Sequence, residues 1–295
     1  MVDGRTQLVG LIGWPVAHSL SPVMHNAAFE ALGLNWAYVP LPVLPGQIES
    51  AVRGLVALGF RGANVTVPHK QAVIPTLDFL APDVREFGAV NTLVVKGNDA
   101  KATVGGYNTD YQGFIGALVR DGFDPEGKSI VVVGTGGAGR AVVFGLLQAG
   151  GKDVLVLDLV SQKAEELVTD LEGARPSRLH MLPLTEETLV ESARAADLLV
   201  NATPVGMWPN VGDSIWPDGV PIPTHLAVSD LVYNPLSTRL LEQTRTSGAH
   251  PIGGLEMLVG QGTLAFERWT GKPAPIEVMR SACEQALRRR TECAS

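Results

Sequence analysis

The run Ile130-Val131-Val132-Val133 feeds directly into Gly134-Thr135-Gly136-Gly137-Ala138-Gly139. A continuous, β-branched apolar run suits a strand covered on both faces, as in a parallel sheet. Gly134, Gly136 and Gly139 stand in G-x-G-x-x-G spacing and open an apolar helical stretch, 138–148. The spacing alone is a weak signal. A strand before it and a helix after it make it a dinucleotide fingerprint. The first glycine permits a tight turn, the second lets a pyrophosphate approach the backbone, and the third lets helix and strand pack closely. Gly137 and Ala138 fall where the helix N-terminus offers unpaired N–H groups to phosphate. Asp158 closes the next strand, VLVLD, at the place where an acid accepts hydrogen bonds from the adenosine ribose. Its carboxylate opposes a 2′-phosphate. Leu159 and Val160 bring no cation, and Lys163 is the only nearby one. Local chemistry therefore favours NAD over NADP. The plainer alternative is a simple turn with Asp158 capping the next helix. It has to treat strand, glycines, helix and acid as coincidence.

The rest of the chain alternates strand-like and helical segments. Strands are expected at 8–13, 37–41, 62–67, 91–96 and 101–105, with a turn at Gly97-Asn98-Asp99. Helices are expected at 22–32, 48–58 and 70–77. A second series follows: helices at 110–120, 138–148 and 161–171, and strands at 128–133, 153–158, 197–201 and 228–232. Residues 204–223 read as loop, and two long helices close the chain at 256–270 and 275–290. The βαβα order implies an α/β fold with largely parallel sheets. With 295 residues the chain suits two lobes better than one core. The expected division is 1–108 with 250–295, a mostly parallel α/β substrate lobe, against 109–249, a Rossmann dinucleotide-binding lobe, with a cleft between.

A formal net charge of -7 and the lack of a basic stripe argue against nucleic acid as a partner. Arg288-Arg289-Arg290 near the end of the last helix is read as a charge run complementing the helix dipole. Cys283 and Cys293 form no disulfide framework and no metal-ligand pattern, so no metal is expected. No signal peptide and no membrane-spanning run is apparent, and the expected location is the cytoplasm.

Polar residues gather at strand ends in the first half: Ser19 and Ser21 in HSLSP, Asn64, Thr66 and Lys70 in NVTVPHK, Asn91 in AVNTL and Asp110 in YNTDYQGF. Singly, each has a simpler explanation. Ser21 before Pro22 makes a good helix N-cap. Asp110 suits a helix start. Asn64 and Asn91 suit turns, and Lys70 a solvated surface. His18, His25 and His69 match no metal motif and are read as packing or hydrogen-bonding residues.

In combination, HSLSPVMHNAAF, NVTVPHK, GAVNT, YNTDYQGF, GTGGAGRA, NATPVGM, DLVYNP and GLEMLVGQGTLAFERWTG resemble the shikimate dehydrogenase family, in its order, from about Leu8 to Gly271. The resemblance implies an NAD(P)-dependent oxidoreductase acting on CH–OH. It would reversibly reduce 3-dehydroshikimate to shikimate on the chorismate route to aromatic amino acids. It assigns Lys70 and Asp110 as the catalytic pair. Ser19, Ser21, Asn64, Thr66, Asn91 and Gln261 hold the substrate, Tyr233 lines it, and Gly254 and Met257 lie toward the nicotinamide end. It also implies a monomer or homodimer.

Two departures from the family pattern bear on function. NADP-using members, the usual kind, carry an Asn-Arg-Thr-like run where this chain has Asp158-Leu159-Val160, which points to NAD. Trp14 replaces a small polar residue. The SLSP serines argue for shikimate, since quinate-preferring relatives often carry threonine or glycine at the second serine. An NAD-dependent quinate/shikimate dehydrogenase is the alternative. A non-catalytic dinucleotide-binding sensor is a third reading, opposed by the presence of both Lys70 and Asp110.

Overall fold

The computed structural model describes residues 2–97, 101–172 and 178–294. It divides into two compact units, Met1–Thr109 with Val259–Ser295, and Asp110–Leu258. The first unit opens with β1 (Gln7–Gly13), α1 (Ser21–Ala31), β2 (Trp36–Pro42), α2 (Ile48–Ala57) and β3 (Gly62–Val65). β1 lies between β2 and β3, parallel to both. The chain leaves β1 on one side and returns on the other, so the C-terminal ends of β1 and β3 form a switch point, where open α/β sheets bind ligands. A 3-10 turn (Ile74–Thr76), β4 (Phe79–Leu80), α3 (Pro82–Phe87), β5 (Thr92–Lys96) and β6 (Thr103–Tyr107) follow. β5 runs antiparallel to β3, and β6 antiparallel to β5, in the order β2-β1-β3-β5-β6-β4. These reversals carry the start of β5 and the end of β6 to the switch-point edge: Asn64 pairs with Thr92, and Thr92 with Tyr107. One face of the sheet is packed by Ile12, Val65, Val84, Val90 and Leu93 with the apolar side of α2.

The second unit runs α4 (Asp110–Arg120), β7 (Ser129–Val133), α5 (Gly137–Gln148), β8 (Asp153–Asp158), α6 (Ser161–Glu172), β9 (Leu179–Pro183), α7 (Glu186–Ala195), β10 (Leu198–Asn201), β11 (Ala227–Asp230), α8 (Arg239–Thr246) and β12 (His250–Gly253). Its sheet has the order β12-β11-β10-β7-β8-β9. Every pairing in it is parallel. The chain winds from β7 through β8 to β9, then crosses back to β10, which is the doubly wound order of dinucleotide-binding sheets. α9 (Leu255–Thr270) returns to the first unit, and α10 (Ile276–Ala294) packs there against α1.

Several expectations change. Residues 70–77 are turns and a 3-10 turn, not a helix. Pro75 has no N–H to give such a helix, and its ring would meet the Gln71 carbonyl; it is accommodated only in a first turn. Ser21 is not an N-cap. Leu20 holds that position without a side-chain hydrogen bond, and the Ser21 N–H is taken by Ser19 Oγ at 3.2 Å. The return crossing falls at 258/259, not near 250, because β12 pairs with β11 in the second sheet. β4, α3, β9, α7, α8 and β12 had no counterpart in the sequence reading. Asn98 and Asp99 of the expected turn lie outside the described residues. Among the described residues, no helix is long and apolar enough to cross a membrane, and no cluster of metal-ligating side chains occurs.

Candidate functional site

In the first unit the loops after β1 and β3 lie side by side. The Trp14 N–H donates to the Val67 carbonyl at 3.0 Å, and the Thr66 N–H to Ile12 at 2.8 Å. This places Ser19, Ser21, Thr66 and Lys70 at one sheet edge. Trp14 itself is exposed and joins the two loops through its backbone. Lys70 is half-buried, and its carbonyl accepts from Val90 N–H at 2.8 Å, next to Asn91. His69 anchors the same turn, with Nε2 at 2.7 Å from the Val43 carbonyl. The Arg288-Arg289-Arg290 run does more than face solvent. Arg290 Nη1 donates to the His18 carbonyl at 2.7 Å, tying α10 to the HSLSP loop. Burial and the Arg290 charge both lower the His18 pKa from its ordinary value.

Asn64 and Asn91 are not turn residues. Both are buried and locked into one hydrogen-bonded network. Tyr38 Oη donates to Asn64 Oδ1 at 2.8 Å, while Asn64 Nδ2 donates to the Asn91 carbonyl at 3.1 Å and to Thr92 Oγ1 at 3.2 Å. Thr92 Oγ1 in turn donates to Asn91 Oδ1 at 2.8 Å, and Asn91 Nδ2 donates to Thr109 Oγ1 at 2.9 Å and to Gln261 Oε1 at 3.5 Å. Three of the expected substrate residues, Asn64, Asn91 and Gln261, are thus brought together. Tyr38, Thr92 and Thr109 are members that sequence reasoning missed. Nothing in their local pattern marks them, because the contact depends on strand order.

In the second unit the glycines behave as a dinucleotide cradle requires. Gly134 has φ +102, a conformation that side chains other than glycine's rarely adopt. A Cβ on Gly139 would lie 2.1 Å from the Gly134 carbonyl oxygen, so helix and strand touch there. Gly136 is the N-cap of α5 with φ -64, and a Cβ on it would meet nothing within 4 Å. Gly137 begins α5, and Ala138 follows in its first turn. These residues fit a pyrophosphate on the helix N-terminus. Gly136→Ala is expected to leave thermal stability unchanged but weaken dinucleotide binding about tenfold or more, because its methyl occupies the approach. Gly139→Ala is expected to lower both stability and binding. Melting curves with fluorescence titration of the cofactor separate the two cases.

Asp158 closes β8 with its carboxylate braced. Oδ2 accepts from Thr135 N at 2.8 Å and Thr135 Oγ1 at 2.6 Å, and Oδ1 accepts from Val160 N at 2.9 Å. Burial acts to raise its pKa, but these hydrogen bonds and the Lys163 charge outweigh it and hold the carboxyl below its ordinary value. Leu159 and Val160 are exposed beside it. Asp158 therefore ties the end of β8 to the glycine turn through Thr135.

Asp110, Tyr233, Gly254 and Met257 belong to this second unit. Asp110 is buried and is the first residue of α4, directly after Thr109. Tyr233 is half-buried in the loop after β11. Gly254 is confined by backbone: a Cβ there would lie 2.4 Å from the Leu231 carbonyl oxygen. Met257 is buried on α9. A further missed residue is Asp230. It is fully buried at the end of β11 and accepts from Asn201 Nδ2 at 2.9 Å, Val232 N at 3.0 Å and Thr238 Oγ1 at 2.5 Å. Burial pushes its carboxyl up to about 6 against those hydrogen bonds. The bond from Asn201 joins the NATP and DLVYNP loops, two strings whose order was visible but whose link was not.

A family model described as the shikimate dehydrogenase substrate binding domain matches residues 11–93. A second, the shikimate 5′-dehydrogenase C-terminal domain, matches residues 254–284. The shikimate dehydrogenase (NADP(+)) of Methanopyrus kandleri is 46% identical over 288 residues, spanning 97% of this chain and 98% of that one. The structure of shikimate 5-dehydrogenase from Listeria monocytogenes in complex with shikimate and NAD aligns with a TM-score of 0.85 at 34% identity, over 95% of this chain and 97% of that one. Quinate dehydrogenase from Corynebacterium glutamicum in complex with NAD aligns with a TM-score of 0.85 at 32% identity, over 95% and 99% of the respective chains.

Proposed function

Because the chain belongs to the shikimate dehydrogenase family, we propose that it reversibly reduces 3-dehydroshikimate to shikimate with a nicotinamide dinucleotide, using Lys70 and Asp110 as its proton-transfer pair. The observation that carries the reading is the buried carboxamide cluster of Asn64, Asn91 and Gln261 at the sheet edge that also holds Lys70. Such a cluster suits a polyhydroxylated ring better than an apolar substrate, since it offers several fixed donors and acceptors.

The bound nicotinamide supplies or accepts the hydride. Lys70 hydrogen-bonds the substrate's ketone oxygen as negative charge develops there, and gives it a proton in the reducing direction. In oxidation a neutral Lys70 takes the hydroxyl proton. Asp110, the other member of the pair, binds a neighbouring hydroxyl. Ser19 Oγ already accepts the Ser21 N–H, so its own proton is directed to an acceptor such as the substrate carboxylate, a role Ser21 shares. Asn64, Thr66, Asn91 and Gln261 hold the hydroxyls, and Tyr233 lines the ring. Gly254 and Met257 border the nicotinamide end. The protein works in the cytoplasm as a monomer or homodimer.

NAD is the preferred cofactor in this reading, and the braced, ionised Asp158 supports it. Like charges about 4 Å apart near a protein surface repel by roughly 4 kcal/mol, and the exposed Leu159 and Val160 offer a 2′-phosphate nothing in return. Wild-type kcat/KM is expected to favour NAD over NADP by about a hundredfold or more, and Asp158→Asn to narrow that ratio about tenfold or more. Initial rates with both cofactors test this, and a wild-type preference for NADP contradicts it. Quinate oxidation is the second reading. Similarity to an NAD-bound quinate dehydrogenase and Asp158 favour it, while Ser21 favours shikimate.

A further inference from the structure

Three consecutive residues of α1 converge on the network that holds Asn64. Met24 packs beneath α9 so closely that a Cβ on Gly262, next to Gln261, would lie 2.3 Å from its Cε. His25 is wholly buried and stacks on Tyr38 with ring centroids 4.5 Å apart and planes 7° from parallel. Asn26 clamps the Tyr38 backbone, donating from Nδ2 to its carbonyl at 2.9 Å and accepting its N–H at 2.8 Å. Tyr38 is therefore fixed at its backbone by Asn26, at its ring face by His25 and at its hydroxyl by Asn64.

That rigid arrangement also has a polarity. A phenol carries one proton, and Tyr38 gives it to Asn64 Oδ1. The Asn64 carboxamide turns Nδ2 the other way, to the Asn91 carbonyl and to Thr92 Oγ1, so the Tyr38 hydroxyl and a backbone acceptor hold one orientation together. Thr92, accepting there, turns its own proton to Asn91 Oδ1, which also accepts the Thr109 N–H at 2.8 Å, and Asn91 Nδ2 turns to Thr109 Oγ1 and Gln261 Oε1. One donor sense thus runs from the Tyr38 hydroxyl through four side chains, in agreement with the backbone groups that meet it at Asn64 and Asn91. With an amide at each of three positions, a reversed orientation would exchange donor for acceptor wherever a substrate hydroxyl has to be met.

We infer that Tyr38 is a positioning residue for substrate recognition: by donating to Asn64 it holds that carboxamide, and through Thr92 those of Asn91 and Gln261, in the orientation that the backbone groups beside them also require. Neither Tyr38 nor Thr92, which is fully buried, needs to reach the substrate for this. The inference rests on the reading of these amides as substrate ligands given above.

The test begins with wild-type enzyme and a saturable KM for shikimate; its absence refutes the functional reading and this inference with it. Given that KM, Tyr38→Phe keeps the stack on His25 and removes only the hydroxyl. It is expected to raise the KM for shikimate about tenfold, the loss of one buried hydrogen bond. The kcat and the cofactor KM should stay within about twofold, because cofactor binding draws on the other unit. Thr92→Val breaks the same chain at its third member and should reproduce the split, while Thr92→Ser, which keeps the hydroxyl, should restore wild-type KM. The Thr92 pair also keeps the test open if Tyr38→Phe does not fold. An unchanged shikimate KM in Tyr38→Phe or Thr92→Val overturns the inference. So does an equal loss in cofactor KM and kcat, or a failure of serine to rescue.

Discussion

Replacing Lys70 by alanine is expected to lower kcat about 10²- to 10⁴-fold, the range for removing a group that moves a proton in the transition state. The fold should survive. The Lys70 backbone is held independently of its side chain, through its carbonyl to Val90 and through the neighbouring His69 to Thr66 and Val43. Lys70→Arg is expected not to rescue, because a guanidinium keeps its charge and cannot serve as a base. Asp110→Asn tests the other member of the pair and should also lower kcat. Circular dichroism with steady-state rates checks both parts. A near-normal kcat in Lys70→Ala would remove Lys70 from the chemistry.

The second large effect concerns acid. Burial lowers the His25 pKa from 6.5 to about 3. Both ring nitrogens lack a hydrogen-bond partner among the described residues. In the unfolded chain the imidazole takes up a proton below its ordinary pKa, while in the folded protein it does not. The unfolded state therefore binds more protons between about 3 and 6.5, and stability falls as pH drops through that window. By about pH 4.5 the loss amounts to roughly 3 kcal/mol, a large share of the ~5–15 kcal/mol that holds a domain together. Asp230 works in the opposite sense. Its folded pKa is raised to about 6, so its contribution is present below 3.8 and is lost as pH rises through about 6. His25→Phe separates the two, because Asp230 is common to both proteins. Urea midpoints at about pH 7.5 and pH 4.5 should show wild type losing roughly 3 kcal/mol more than the variant. Equal losses would show that His25 charges freely in the folded state.

The cofactor-binding half was the more legible in sequence, since its chemistry is local. A strand, three glycines, a helix and an acid lie within thirty or so residues, and each glycine's requirement can be stated from backbone geometry alone. Even there, the brace from Thr135 to Asp158 was invisible, because it joins the ends of two adjacent strands. The substrate half is built from distant pieces. Asn64 and Asn91 each had a sound simpler explanation as turn residues, and Gln261 entered only through the family resemblance. They meet because β5 reverses against β3, and because α9 returns from the second unit. Neither fact is written in the residues themselves.

The elements overlooked share a cause. His250-Pro251-Ile252-Gly253 is a poor strand by composition and is one only as the edge of a parallel sheet, where proline is tolerated. Arg239–Thr246 is two turns long and gains definition from Thr238, whose hydroxyl caps it while also donating to Asp230. The Lys70–Leu77 segment shows the converse. Its helical pattern runs through Pro75, whose missing N–H is tolerated in the first turn of the short 3-10 segment but not inside a helix over 70–77.

Oxidation of shikimate by the wild-type protein with NAD, beside quinate under the same conditions and with each cofactor, tests the central claim most directly. The account predicts saturable reduction of NAD with shikimate, slower turnover of quinate, and weak rates with NADP. No turnover of shikimate with either cofactor, or quinate as the faster substrate, would contradict it.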